Sequence, residues 1–127
     1  MQNAIKSYQD LDVWKIGMAV VKTVYSLTAN FPSEERFGLI SQMRRAAISI
    51  PSNIAEGHAR KSRAEFRQFI SVALGSLAEL ETQLILSQDL NFMKKEATEA
   101  IMLQLDTLGK MLRGLSKSLS SSPKPHA

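Results

Sequence analysis

The sequence predicts an all-α protein, an antiparallel up-down four-helix bundle whose second helix is kinked at a proline. Three observations carry this. Apolar residues recur every three to four positions in four separate stretches, the spacing that puts them on one face of a helix. Turn-forming residues punctuate those stretches at Asn30, Phe31 and Pro32, near Arg60, and at Asp89, Leu90 and Asn91, and connections this short join helices running in opposite directions. No segment alternates apolar and polar residues as a half-buried strand does. Residues 1–10 read as a polar lead, 11–119 as the bundle and 120–127 as a mobile tail with nothing to bury.

The first helix is expected over Leu11 to Asn30, where Pro32 restricts the chain before it. It carries two apolar stripes: Val13, Ile16, Val20, Val24 and Leu27, and beside them Leu11, Trp14, Met18, Val21 and Tyr25. One stripe serves a bundle. Trp14, Met18, Val21 and Tyr25 are therefore candidates for an interface with a second copy of the chain, the alternative being one wide core face.

The second helix opens either at Ser33, with Glu34 and Glu35 in its first turn, or at about Leu39 beyond Gly38. Leu39, Met43, Ala46, Ala47, Ile50 and Ile54 keep helical phase across Pro51, which predicts a kink and not a stop. Ser52 or Asn53 is expected to bond a carbonyl that the proline frees, Glu56 to pair with Arg60, and Gly57 to end the helix. Pro51, Ser52, Asn53, Glu56 and Gly57 thus read as a structural motif in preference to a polar site.

Ser62 and Glu65 form an S-x-x-E capping pattern, so a third helix opens near Arg63. Phe66, Ile70, Ala73, Leu77, Leu80 and Leu84 follow at bundle spacing, and Ala73, Gly75, Ser76 and Ala78 are small enough to admit another backbone. A fourth helix, about Lys94 to Leu119, turns Ala97, Ile101, Leu105, Leu108, Leu112, Leu115 and Leu119 inward. Lys110, Arg113 and Lys117 lie near its C-terminal end, where the helix dipole favours cations.

Of 127 residues, 16 are Lys or Arg and 12 Asp or Glu, a net +4. The excess is local. From Arg36 to Arg67 there are seven basic residues against two acids, Glu56 and Glu65, which points to a polyanion partner. Arg44, Arg45, Arg60, Lys61, Arg63 and Arg67 are the candidate RNA- or DNA-binding residues, with a salt bridge from Arg44 or Arg45 to Glu79 or Glu81 as the competing reading. The exposed turn near Arg60 carries no aromatic residue for base stacking, so phosphate contacts and not base reading are expected.

Catalysis finds no footing. There is no cysteine, and the two histidines, His58 and His126, stand outside any Glu-x-x-His pattern. Nucleophile elbow, phosphate-cradling loop and dinucleotide fingerprint do not occur. No enzyme, catalytic residue, metal or cofactor is expected. Nor is a membrane partner, since MQNAIKSYQD lacks a signal-like apolar run and no uninterrupted apolar stretch is long enough to span a bilayer. A cytoplasmic location is expected.

Three strings, LDVWK (11–15), VYSLTANFPSEERFGLISQMRRAAISIPSNIAEGHARKS (24–62) and FISVALGSLAELETQL (69–84), resemble the four-helix bundle proteins encoded within intervening sequences of bacterial 23S ribosomal RNA. The resemblance covers about Leu11 to Leu86, with SIPSNIAEG its most specific segment, and extends to the accessory proteins of diversity-generating retroelements. It implies an up-down bundle without known catalysis that forms a homo-oligomer, a pentamer by that likeness, and partners that include nucleic acid and a reverse transcriptase. Two functions compete: an oligomeric accessory or architectural factor that binds nucleic-acid phosphates, and a protein-interaction scaffold that binds no nucleic acid.

Overall fold

A computed structural model describes residues 7–120. It contains four helices, α1 (Asp12–Thr28), α2 (Leu39–His58), α3 (Arg63–Asp89) and α4 (Lys95–Ser120), and two short 3-10 turns at Tyr8–Asp10 and Ser33–Glu35. There is no strand among the described residues. The tail expected over 120–127 lies outside them, except for Ser120, which closes α4.

The ends of the helices follow local chemistry. Part of the expected polar lead is ordered by a capping box: the Gln9 N–H donates to Ser7 Oγ at 3.0 Å and the Ser7 N–H to Asp10 Oδ2 at 3.2 Å. Of the two starts considered for α2, the later one is found. Ser33 does not cap it; the Glu35 carboxylate does, accepting the Leu39 N–H at 3.3 Å. Ser62 caps α3 as its sequence pattern predicts, its Oγ accepting the Glu65 N–H at 3.1 Å. At the far end of α3, Asn91 takes a φ of 64° and the Phe92 N–H reaches the Ser87 carbonyl at 2.8 Å. This is a Schellman turn with asparagine in the left-handed position that glycine more often fills.

α2 does not stop at Pro51. Pro51 has no N–H for the Ala47 carbonyl, but that is not the carbonyl Asn53 serves. Its Nδ2 donates to the Ser49 carbonyl at 2.8 Å and to Ser49 Oγ at 2.9 Å, one turn back on its own helix. Nor does Gly57 end α2, which runs on to His58 with Ala59 as its cap. Gly57 is instead buried against α3, where a β-carbon would meet Phe69 and Phe66.

Register comes from the pairs in contact. Between α1 and α2, Thr28 meets Arg44 and Gly17 meets Pro51. Between α2 and α3, Met43 meets Ser87, Ser49 meets Ser76 and Gly57 meets Phe69. Arg67 and Arg63 of α3 reach Ser116 and Leu119 of α4. In every pair one helix ascends in number as its neighbour descends. One end of the molecule therefore holds the start of α1, the α2–α3 turn and the end of α4. Val20, Val24, Met43, Ile50, Ile54, Ile70, Leu80, Leu84, Ile101, Leu105, Leu108 and Leu112 fill the core without solvent contact, and burial of this kind is the main force holding the helices together.

Candidate nucleic-acid interface

The basic window of the sequence does not fold into one surface. Arg44 and Arg60 are both on or just past α2, separated by 16 positions, about 24 Å of helix at 1.5 Å per residue. Arg36, Arg44 and Arg45 lie in the half of the molecule that contains the α1–α2 and α3–α4 connections. Arg60, Lys61, Arg63 and Arg67 lie at the opposite end.

Arg44 is engaged within the chain. Its Nε donates to Thr28 Oγ1 at 2.9 Å, and its guanidinium stacks 4.3 Å from the centre of the Tyr25 ring. It makes no ion pair with Glu79 or Glu81 among the described residues. Arg45 is exposed and shares a shallow polar groove with Gln42, Ser49, Ser76 and Glu79, yet it forms no ion pair among the described residues.

At the other end, Arg60 Nη2 pairs with Glu56 Oε2 at 2.8 Å, the contact expected from their spacing, and lies 4.8 Å from the Phe69 ring centre. Lys61 is exposed. Arg63 and Arg67 cross to α4: Arg63 Nη2 donates to the Ser118 carbonyl at 2.7 Å and its Nε to that of Leu119 at 3.3 Å, while Arg67 Nε donates to that of Ser116 at 3.0 Å. The last carbonyls of a helix have no partners in the helix itself and carry its partial negative charge. Arg63 thus closes the C-terminus of α4, and Arg67 binds about one turn back from it.

This contact adds a cation that the local window omits. Lys117 sits between two of the carbonyls that the arginines hold, so α4 carries its terminal charge to the α2–α3 turn. Residues 7–19, 49–75 and 108–120 make up this half of the molecule and hold eight Lys or Arg against four Asp or Glu; residues 20–48 and 76–107 make up the other and hold six against eight. The bundle is electrically polar along its axis. Within the basic half, Lys110 is paired with Asp106 at 3.3 Å, and the His58 ring rests edge-on against Phe66 at 5.7 Å.

The second stripe of α1 lines a different feature. Trp14, Met18 and Val21, half-buried, form an apolar groove of ≈ 320 Å³ with Tyr8, Ile48, Pro51, Ser52 and Ala55. Tyr8 stands edge-on to Trp14 at 5.4 Å. Tyr25, 41% exposed, is the ring that Arg44 covers. Among the described residues no group of three or more His, Cys, Asp or Glu is placed to hold a metal ion.

A family model for the 23S rRNA-intervening sequence protein matches residues 9–114. The chain belongs to that family. Among solved structures, it is similar to a protein of unknown function from the S23 ribosomal protein family of Bacteroides thetaiotaomicron, at 25% identity and a TM-score of 0.77, over 83% of this chain and 98% of that one. No curated protein matches. The match to the 23S rRNA-intervening sequence family takes in all of α1, α2 and α3 and most of α4, and leaves Lys117 and the carbonyls held by Arg63 and Arg67 just beyond it.

Proposed function

We propose that this 23S rRNA-intervening sequence protein is a non-enzymatic, self-associating accessory factor that binds RNA or DNA through phosphates at the basic end of the bundle. The observation that carries this reading is the meeting of Arg60, Lys61, Arg63 and Arg67 with Lys117 at one end of a molecule whose other half is acidic on balance. Charge separated in this way gives a polyanion one end to approach. Arg44 is left out of the site by its place in the opposite half of the molecule.

An electrophoretic shift with a structured RNA tests it. If four cations each neutralise one phosphate, raising salt from 50 to 200 mM weakens binding by about a hundredfold. Changing Arg60, Lys61 and Arg63 together to Glu abolishes the shift. Retardation that is absent, or indifferent to salt, overturns the proposal.

The scaffold reading also has an observation in its favour, one that bears on self-association. α3 reaches a mean hydropathy of 1.4 over an 18-residue window although Glu79 and Glu81 interrupt it, yet only 39% of that window is buried inside the chain. Its outer side presents Val72, Ile85 and Leu86, and a β-carbon on Gly75 would meet nothing. Together with the Trp14 groove, this is more apolar surface than a lone bundle needs, and further copies of the chain are its proposed cover.

A further inference from the structure

Among the described residues, Arg63 and Arg67 are the cations of the basic end that hydrogen-bond to another helix. Each guanidinium spends its Nε edge on a carbonyl near the C-terminus of α4, Arg63 adding one N–H of Nη2, and among the described residues no hydrogen bond takes up Nη1 of Arg63 or either terminal nitrogen of Arg67. Both side chains are exposed. They stand four residues apart on α3, about 6 Å along its axis, a separation comparable to that of neighbouring phosphates on one strand.

We infer that the Ser116, Ser118 and Leu119 carbonyls act as positioning groups that hold Arg63 and Arg67 with their free N–H pairs turned to two successive phosphates of a single nucleic-acid strand. The inference rests on the phosphate-binding reading above and adds a requirement to it: at these two positions the planar fork matters, not charge alone. A guanidinium has five donors and can serve a carbonyl on one edge and a phosphate on another. An ammonium is a point charge on a flexible stem, without a second edge to offer. The guanidinium already held has also lost the side-chain freedom that binding otherwise removes.

Lysine substitution separates fork from charge. Fluorescence titration uses a labelled single-stranded oligonucleotide in ribo and deoxyribo forms of one sequence. Arg63→Lys and Arg67→Lys are each expected to lower affinity about tenfold, whereas Lys61→Arg leaves it unchanged. The slope of affinity against salt stays as in the wild type, because the number of cations is conserved. Equal losses for the two forms identify the phosphodiester backbone as the ligand; a loss confined to one form contradicts a site that holds phosphates alone. Wild-type affinity in both lysine variants, with weakened binding in Arg63→Glu, overturns the inference and leaves the polyanion reading standing. Unchanged binding in Arg63→Glu, Arg67→Glu and Lys61→Glu alike removes that reading itself. Hydrogen exchange at the Lys117–Ser120 amides is followed alongside, and an affinity loss seen only where the end of α4 has melted also counts against the fork.

Discussion

A β-carbon on Gly57 would lie 2.7 Å from Cβ of Phe69, closer than two side chains on facing helices can stand. Phe66 adds Cδ1 at 2.9 Å and its backbone carbonyl at 3.3 Å. Because the nearest atom is a β-carbon, fixed to its own backbone, no rotamer change relieves the contact, and α2 and α3 would have to separate. Gly57→Ala gains about 1 kcal/mol of helix propensity, but overpacking of a close helix crossing costs about 1–3 kcal/mol and sometimes more. A net loss of about 1 kcal/mol or more is expected, read as a lower urea midpoint. A variant as stable as the wild type would show that the two helices are free to move apart.

Gly75 gives the opposite prediction for the isolated chain. It lies in the middle of α3 with no atom within 4 Å of a β-carbon built on it, so Gly75→Ala meets no steric cost and is expected to stabilise the monomer by about 0.5–1 kcal/mol. Gly114, equally open near the end of α4, is its control. If other copies of the chain cover α3, Gly75→Ala also weakens assembly while Gly114→Ala does not, a difference that light scattering over a dilution series detects.

Arg44 is expected to act on stability alone. Removing it in Arg44→Ala takes away the guanidinium over Tyr25 and the donor to Thr28 Oγ1, a loss of about 1–2 kcal/mol for a partly buried cation–π contact with a charged hydrogen bond. Thr28 keeps its own bond to the Val24 carbonyl at 2.7 Å, which limits the damage. Thermal unfolding should shift downward while RNA retardation by the folded variant is unaltered. Reduced RNA affinity at equal foldedness would return Arg44 to the binding site.

These residues mark where the sequence was legible. Core positions such as Ile70, Leu77, Leu80 and Leu84, or Ile101, Leu105, Leu108 and Leu112, are buried as their spacing predicts, since periodicity along one helix needs no knowledge of its neighbours. Ser62 and Glu65 were equally readable, being three residues apart. Charge was not. A window from Arg36 to Arg67 counts residues along the chain, but a helix carries the two ends of that window apart and brings Lys117 in from 50 positions beyond Arg67. Gly57 was misread for a related reason: a glycine near a helix end suggests a terminator, and only the α2–α3 register reveals Phe69 opposite. Gly17 against Pro51, with 3.4 Å from a β-carbon to Pro51 Cβ, escaped notice in the same way, although a glycine between two apolar stripes was a signal of close approach.

Ile48 offers the sharpest test of self-association. It is 41% exposed and lies in the groove with Trp14, Met18 and Val21, so Ile48→Glu leaves the core of the single chain intact and places a charge in the middle of contiguous apolar surface. A carboxylate buried there without a partner would cost several kcal/mol in an interface, enough to return an assembly to monomers at micromolar concentration. Leu103 is the control. At 69% it is more exposed than Ile48, and it lines a separate groove between α1 and α4 with Ile16, Ala19, Ala100, Gln104 and Thr107, so a charge there reports on that face and not on the Trp14 groove. Sedimentation should give a multimer for the wild type and for Leu103→Glu, and a monomer for Ile48→Glu. If the wild type already sediments as a monomer, the Trp14 groove and the outer side of α3 must be covered by a different protein or left open; if Leu103→Glu dissociates instead, the interface runs along α1 and α4 and the groove is not part of it.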